Sequence, residues 1–323
     1  MNRLVIIGNG FDLAHGLKTS YKDFINWYKE QVVKDLKDES YNAWKDELCS
    51  IELLNTYQPH LYIFMSDNSI YKNKSGVEIF DEIDKDYNNF NVKKSPLLER
   101  ILKNIEDKGW TDIERDYYEL LKENANDIET CKSLNEQLDF LKDKLVEYLN
   151  TQTPEKRIEN IVNILYGSID SGDVSISEHI RESERLKQIP PEDCIKVGDD
   201  VIDNMMYSSL DNVMILNFNY TSTVKKYTEV STTINFIHGS LENPKNIIFG
   251  YGDEMDKDYQ ELIDKNENEL LRNSKSVKYL ETSNYRKLLQ FIDGGLFQVY
   301  IIGHSCGNSD RTLLNTIFEH VNC

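Results

Sequence analysis

Two glycines follow directly after the first apolar run of the chain. Residues 4–7 are continuously apolar, and the next five residues are Gly8, Asn9, Gly10, Phe11 and Asp12. Glycines let backbone N–H groups approach a phosphate closely, and the amino end of a following helix favours an anion. Because position 13 is leucine, the dinucleotide-binding pattern GxGxxG is incomplete. The loop therefore predicts either nucleotide binding or a plain tight turn.

A second glycine-rich loop follows an apolar run near the end of the sequence. It matches the pattern GxSxG, in which Ser305 would be the nucleophile of an α/β-hydrolase. A catalytic triad would have to use Asp310 and His320, which fall together in one short predicted helix. We therefore expect Gly303, His304 and Ser305 to form a ligand-binding loop instead.

His238 is the best single catalytic candidate. It comes straight after an apolar run and precedes a glycine, among several polar loops predicted to share one edge. Histidine can act as a general base near neutral pH, although a structural histidine bonded to a neighbouring carbonyl is the alternative. Its place among those loops favours the catalytic interpretation.

The acidic residues give weaker indications. Thr111 and Glu114 have the spacing of a capping box, which would explain Glu114 without any function, although Glu114 and Asp116 could also face a ligand. Asp253 and Glu254 lack further ligands at the spacing of a known metal site. No metal site is predicted.

Five short apolar runs must position these residues. Each ends in a polar or turn-forming loop, and the runs are 4–7, 213–216, 234–237, 247–249 and 299–302. Ligands of parallel α/β sheets bind at the carboxyl ends of the strands, where such loops lie. The sequence predicts an α/β fold with a discontinuous, Rossmann-like parallel sheet formed by residues 1–30 and 205–323.

The segment between these two parts has a different pattern. Residues 31–204 are predicted to form a large all-helical insertion, with the Asn-, Asp- and Lys-rich stretch 66–95 as a loop. One face of a long helix carries a stripe of leucines, which is typical of packing between helices. These leucines are Leu134, Leu138, Leu141, Leu145 and Leu149.

Composition excludes several classes of protein. The 37 Lys and Arg residues and 56 Asp and Glu residues give a net charge of −19, which repels polyanions and disfavours a broad nucleic-acid-binding surface. A local phosphate pocket remains compatible with this charge. The five scattered cysteines suggest neither a disulfide framework nor a zinc site. The lack of a membrane-spanning apolar window or signal-peptide core predicts a cytoplasmic protein with no membrane partner.

The motifs together resemble the AbiH family of bacteriophage abortive-infection proteins. The matching blocks appear in family order over nearly the whole chain, and they read LVIIGNGFDLAHGL, WTDIE, NFNYT, HG, FGYG and GHSCG. The resemblance implies a role in antiphage defence, with a phage-derived trigger or a partner defence protein.

A more distant likeness concerns the chemistry. The order of the glycine loop, Asn219, His238 and the late Gly-x-Ser loop resembles sirtuin-like NAD-cleaving domains, with Thr221 replacing their aspartate. This likeness implies a small nucleotide as ligand and NAD as substrate, with no separate cofactor. It also implies that Asn219 orients water or a ribose hydroxyl, that His238 is the general base, and that Asp12 stabilises the developing cation.

Two other classes of function stay open from the sequence. A metal-dependent nuclease acting on phage or host nucleic acid would use the acidic residues Asp12, Asp112, Glu114 and Asp253. A non-enzymatic sensor would bind a nucleotide and signal through the insertion. The sequence also leaves open whether the chain forms a homo-oligomer.

Overall fold

The computed structural model describes residues 1–38, 43–54, 71, 73–167, 169, 210–228, 232–252 and 257–323. The elements up to residue 167 are β1 (Asn2–Ile7), α1 (Asn9–Ala14), α2 (Tyr21–Asp38), β2 (Ala43–Lys45), β3 (Cys49–Leu53), α3 (Gly76–Lys85), β4 (Phe90–Lys94), α4 (Pro96–Lys108), α5 (Ile113–Glu123), α6 (Ile128–Asn150) and α7 (Ile161–Tyr166). The later elements are β5 (Val213–Asn217), β6 (Thr233–Phe236), α8 (Lys257–Asp264), α9 (Asn268–Leu271), α10 (Lys275–Tyr279), α11 (Asn284–Asp293), β7 (Phe297–Ile302) and α12 (Arg311–Phe318).

A four-stranded parallel sheet joins the two ends of the chain, which confirms the predicted mixed α/β fold. Its strand order is β6-β5-β1-β7, so the first strand lies between strands from the last third. Val5 pairs with Ile215 on one side and with Tyr300 on the other. The apolar run 247–249 does not form a strand of this sheet.

Both faces of β1 are covered, which explains why the strand is apolar at consecutive positions. Leu4 and Ile6 pack against residues of α11 and α12 on one face. Val5 and Ile7 pack against α7 and the 3₁₀ helix Thr223–Tyr227 on the other face. The continuous apolar run is therefore a consequence of burial on two sides.

The segment between the two parts of the sheet is not all-helical. Residues 43–94 contain a three-stranded antiparallel sheet in the order β2-β3-β4. In β3 the buried residues Cys49, Ile51 and Leu53 alternate with Ser50 and Glu52, which is the period-two pattern of a strand. The prediction of an all-helical insertion is wrong for this part of the chain.

The predicted loop 66–95 is also wrong over much of its length. It contains α3, whose Ser75 and Glu78 form a capping box, and β4, which pairs with β3. The apolar residues Ile79, Phe80 and Ile83 of α3 are buried despite the charged composition around them. Local amphipathicity therefore outweighs the overall polarity of the stretch.

The leucine stripe lies on α6, and each of its leucines is buried in the larger hydrophobic core. This core also includes residues of 247–270, so the later part of the chain packs against the helices of the segment before β5. None of the helices in the described ranges has the length and apolar character needed to cross a membrane.

Glycines bring the loops after β1 and β7 into backbone contact. A Cβ atom on Gly8 would lie 2.6 Å from the Cα atom of His304, and a Cβ on Gly10 would lie 2.8 Å from that of Gly303. Gly303 itself has φ +67° and has no room for a side chain beside the nitrogen of Phe11. The two glycine loops are therefore fitted to each other.

Substitution of Gly303 by alanine should reveal this constraint. The alanine of Gly303→Ala would have to adopt a left-handed conformation, and its Cβ would collide with the backbone of the first glycine loop. We therefore expect a loss of about 2–5 kcal/mol in the free energy of unfolding. Gly307→Ala is the matched control, because its Cβ would meet only the Ser305 hydroxyl at 3.5 Å. Urea unfolding of both variants measures the difference, and equal stabilities would contradict the interpretation.

Candidate active site

A cavity of about 400 Å³ lies where the four strands of the parallel sheet end. Loops after β1, β5, β6 and β7 line it, together with the amino end of α5 and the carboxyl end of α6. It is within the usual size range of small-molecule sites. The predicted residues that line it are Gly8, Asn9, Gly10, Asp12, Asn219, His238, Gly303, His304 and Ser305.

Phe11 does not line the cavity. Its ring is buried beneath the loop, 4.3 Å from the ring centroid of His15 and 6.0 Å from that of Tyr227. The side chain also belongs to the hydrophobic cluster of Val5 and Ile7. The side chain of Phe11 therefore supports the loop from below and lies outside the described lining of the cavity.

The glycine amides are already hydrogen-bonded within the protein. The N–H of Gly8 donates to the carbonyl of Ile302 at 3.1 Å, and that of Gly10 donates to the carbonyl of Gly303 at 2.8 Å. These donors are not free to hold a phosphate, contrary to the nucleotide-loop expectation. The glycines are explained by the close approach of the two loops.

A buried lysine organises one wall of the cavity. The Nζ atom of Lys275, at the start of α10, lies 2.9 Å from Asp310 and 3.3 Å from Glu114, and the side chain is almost fully buried. Burial disfavours its charged form, yet Asp310 and Glu114 together hold the pKa of Lys275 well above its usual range. Sequence reasoning missed Lys275, because its polar surroundings give no local signal.

Glu114 is part of this cluster and does not cap α5. The N-cap is Asp112, whose side chain accepts from the N–H of Arg115, while Thr111 donates to Asp116. Glu114 instead accepts from the N–H of Gly250 at 3.0 Å as well as from the lysine. Burial raises the pKa of Glu114 to about 7, and the lysine opposes this shift. The predicted capping box is wrong.

His238 is held by its Nε2 atom. This atom lies 2.8 Å from the hydroxyl of Tyr279 and 3.3 Å from Oδ1 of Asp310. Burial opposes ionisation of Asp310, but Lys275 and His238 hold its pKa well below the usual range. In the tautomer with the proton on Nε2, that atom donates toward ionised Asp310 and the lone pair is on Nδ1; in the other tautomer, Nε2 accepts from the hydroxyl of Tyr279.

The protonation state of His238 suits a base. Burial, followed by the positive charge of Lys275, lowers the pKa of His238, so the ring is neutral near pH 7. A neutral imidazole with one nitrogen oriented by a carboxylate is the arrangement that accepts a proton at the other nitrogen. Asp310, which the sequence analysis considered as a triad residue and rejected in that role, is therefore a positioning residue of the site.

His304 is a second neutral histidine beside Asp310. Its Nδ1 atom accepts from the N–H of Cys306 at 3.0 Å, and its Nε2 atom lies 3.8 Å from Oδ2 of Asp310. Burial lowers the pKa of His304 to about 4. Its ring therefore contributes a polar but uncharged surface to the cavity at neutral pH.

Asp12 and Asn219 also line the cavity. One carboxylate oxygen of Asp12 accepts from the hydroxyl of Thr221, whereas the buried Oδ1 has no hydrogen-bond partner among the described residues. Burial raises the pKa of Asp12. Asn219 donates through Nδ2 to the carbonyl of Gly8 at 3.0 Å and thereby joins the loops after β1 and β5.

The acidic residues considered for a metal do not form a ligand set within the described part of the chain. There, no group of three His, Cys, Asp or Glu side chains is arranged to hold a metal ion. Asp253 and Glu254 lie outside the described residues. The roles of the cavity residues in binding and catalysis stay predictions.

Loss of the lysine charge should destabilise the fold. Lys275→Met leaves two buried carboxylates without their cation, and we expect it to lower the free energy of unfolding by about 3–5 kcal/mol. The control is Lys278→Met on the same helix, which breaks an exposed pair with Glu281 and should cost less than about 1 kcal/mol. Chemical denaturation compares the two, and a Lys275→Met variant as stable as the control would refute the buried ion pair.

His304 should make the protein less stable in mild acid. Its folded pKa of about 4 lies below that of an unfolded histidine, about 6.5, so the unfolded chain takes up the proton first as the pH falls. Stability present above pH 6.5 is then lost toward pH 4, by at most about 1.4 kcal/mol per pH unit for this group. His304→Asn should give a flatter curve of unfolding free energy between pH 7.5 and 5. Parallel curves for the variant and the unmodified protein would contradict the assignment.

Comparison with known proteins identifies the family. A family model described as bacteriophage abortive infection AbiH matches residues 4–323, which is nearly the whole chain. No curated protein and no solved structure matches the chain. Membership implies a role in bacteriophage abortive infection, and the blocks that carry the sequence resemblance include the loops around the cavity. The chain belongs to the AbiH family.

Proposed function

We propose that the chain serves abortive infection by hydrolysing the N-glycosidic bond of a nucleotide in the cytoplasm, with NAD as the candidate substrate. The observation that carries the proposal is a neutral, Asp310-oriented His238 in the same cavity as the buried carboxylate of Asp12. Hydrolysis of such a bond needs a base for water and an anion near the developing sugar cation.

The charge of the cavity supports this class of substrate. Its lining includes four carboxylates and no lysine or arginine among the described residues, and the carboxylates are Asp12, Asp112, Glu114 and Asp310. The nicotinamide ring of NAD is cationic, and cleavage places positive charge on the ribose. Two of the four carboxylates, Asp310 and Glu114, are paired with Lys275, so attraction of both charges falls to Asp12 and Asp112, and it is stronger away from bulk water.

The residues suggest a division of work. His238 would accept a proton from water at Nδ1 while the water oxygen bonds to C1′ of the ribose, which contributes about 10²–10⁴-fold to the rate. The C1′–N bond breaks, and nicotinamide leaves with the bonding electrons. Asp12 would stabilise the cationic ribose through the negative charge of its carboxylate, and Asn219 would direct its side-chain oxygen to a ribose hydroxyl.

The proposal includes a Rossmann-like arrangement of the sheet and the likeness to sirtuin-like NAD-cleaving domains. Both rest on the same support, which is a cavity at the carboxyl ends of parallel strands. The sheet order reverses between β1 and β7, where the glycine loops meet. Crevices at such a reversal are the usual ligand sites of open α/β sheets.

Two alternatives have less support. A metal-dependent nuclease would hold its ion with converging acidic side chains, and no group of three His, Cys, Asp or Glu residues in the described part of the chain is arranged in that way. A non-enzymatic sensor would not need a histidine oriented by a carboxylate. The three functions give different outcomes in one experiment.

Purified protein should release nicotinamide from NAD without added metal. His238→Ala and Asp12→Asn should each lower kcat by about 10²-fold or more and abolish phage protection, because they remove the base and the anion. Asn219→Ala should abolish protection as well. Chromatography of NAD products, plaque counts and thermal melts measure these effects, with His320→Ala, at a histidine outside the cavity lining, as control.

Three outcomes would reject the proposal. Plasmid or RNA cleavage that depends on Mg²⁺, with NAD untouched, would indicate a nuclease. Binding of NAD without turnover would indicate a sensor. Full protection by a normally folded His238→Ala variant would remove His238 from the chemistry.

A further inference from the structure

A second cavity adjoins the candidate active site. It has a volume of about 650 Å³, lies between α4 and α5, and shares Trp110, Thr111 and Asp112 with the first cavity. We call it the α4–α5 groove. Trp110, at the junction, is 57% exposed, which is unusual for an indole that has no part in the core. A ligand that extends out of the active site through this junction would pass the indole ring.

Three cations of the groove have no carboxylate partner in the described part of the chain. Lys103, Lys108 and Arg115 are exposed, and none of the three forms an ion pair within the described ranges. The fourth cation, Arg100, is held by two hydrogen bonds to Glu123. Lys108 donates to Oδ1 of Asn104 at 2.8 Å, a neutral partner that leaves the charge of the lysine uncompensated.

Most acidic residues of the groove are already engaged. Both carboxylate oxygens of Asp116 accept hydrogen bonds, from Asn104 and Thr111. Asp112 caps α5, and Glu119 pairs with Lys122. Glu99 is the remaining acid, so the lining has four acidic and four basic side chains. Its three exposed cations without a carboxylate partner are accessible to an anion, whereas Asp116 is buried.

The active-site cavity lacks the cations that the groove contains. The first cavity has no lysine or arginine in its described lining, and the amides of Gly8 and Gly10 are bonded to carbonyls. It cannot neutralise the phosphates of a nucleotide by itself. We propose that the α4–α5 groove binds the phosphate groups of the nucleotide substrate through Lys103, Lys108 and Arg115. The indole of Trp110 stacks on the substrate's base that lies farther from the cleaved bond. This inference rests on the proposed function for the identity of the substrate.

Binding measurements test the groove apart from the chemistry. Calorimetry compares ADP-ribose with nicotinamide riboside, which has no phosphate, on the full chain and on the triple variant Lys103→Gln, Lys108→Gln, Arg115→Gln. We expect the Kd for ADP-ribose to rise about tenfold, or about 1.4 kcal/mol, and that for nicotinamide riboside to change less than twofold. Lys132→Gln, an exposed lysine on α6, is the matched control and should change neither.

Salt and the tryptophan give two further readouts. The affinity of the unmodified protein for ADP-ribose should fall as salt is raised, and the triple variant should lose most of this dependence. Trp110→Ala should weaken ADP-ribose binding about tenfold, because base stacking on an aromatic ring is worth about 1–3 kcal/mol.

The outcomes separate this inference from the proposed function. Binding of ADP-ribose that is weakened in the triple variant, with no NAD hydrolysis, retains the groove and rejects the reaction. NAD hydrolysis with unchanged ADP-ribose affinity in the triple variant retains the reaction and overturns the groove. No binding of ADP-ribose to the unmodified protein, or much tighter binding of a short single-stranded oligonucleotide, also overturns it.

Discussion

The buried charge of Lys275 is the constraint on which the site depends. An isolated ammonium inside a protein costs several kcal/mol, so the fold has to bring carboxylates to it. Glu114 comes from α5 and Asp310 from the segment after β7, at positions far from Lys275 in the chain. The cavity wall therefore exists only when three distant parts of the sequence have folded together, and it links the helices of the middle segment to the parallel sheet.

The same cation sets the protonation of the residues around it. Lys275 keeps Asp310 ionised, and together with burial it keeps His238 neutral. Ionised Asp310 then orients the ring through Nε2. The charge of Lys275 thus favours both an ionised Asp310 and a neutral His238. Burial alone would not give this combination, because it favours the protonated form of the acid.

The sequence predicts features that depend on local patterns and misses those that depend on long-range pairing. The parallel strands were predictable, because burial on both faces makes them continuously apolar. The shared cavity was predictable as well, because ligands of parallel sheets bind at the carboxyl ends of the strands, where these loops lie. The roles of Lys275 and Glu114 were not predictable, because these two residues pair with each other across 161 positions of the chain. The glycines of the first loop were found, but their cause is the contact with Gly303 and not a free phosphate cradle.

The carboxylates line the active-site cavity, whereas the cations line the α4–α5 groove, and this separation has a physical reason. Phosphate-binding cations inside the active-site cavity would repel the sugar cation that the proposed reaction develops, and they would compete with Lys275 for Asp310 and Glu114. Cations placed in the α4–α5 groove would attract the phosphates, and they do not belong to the described lining that contains Asp12. Charge interactions weaken with distance and with exposure to solvent, so the two regions can act on opposite ends of one substrate without cancelling each other.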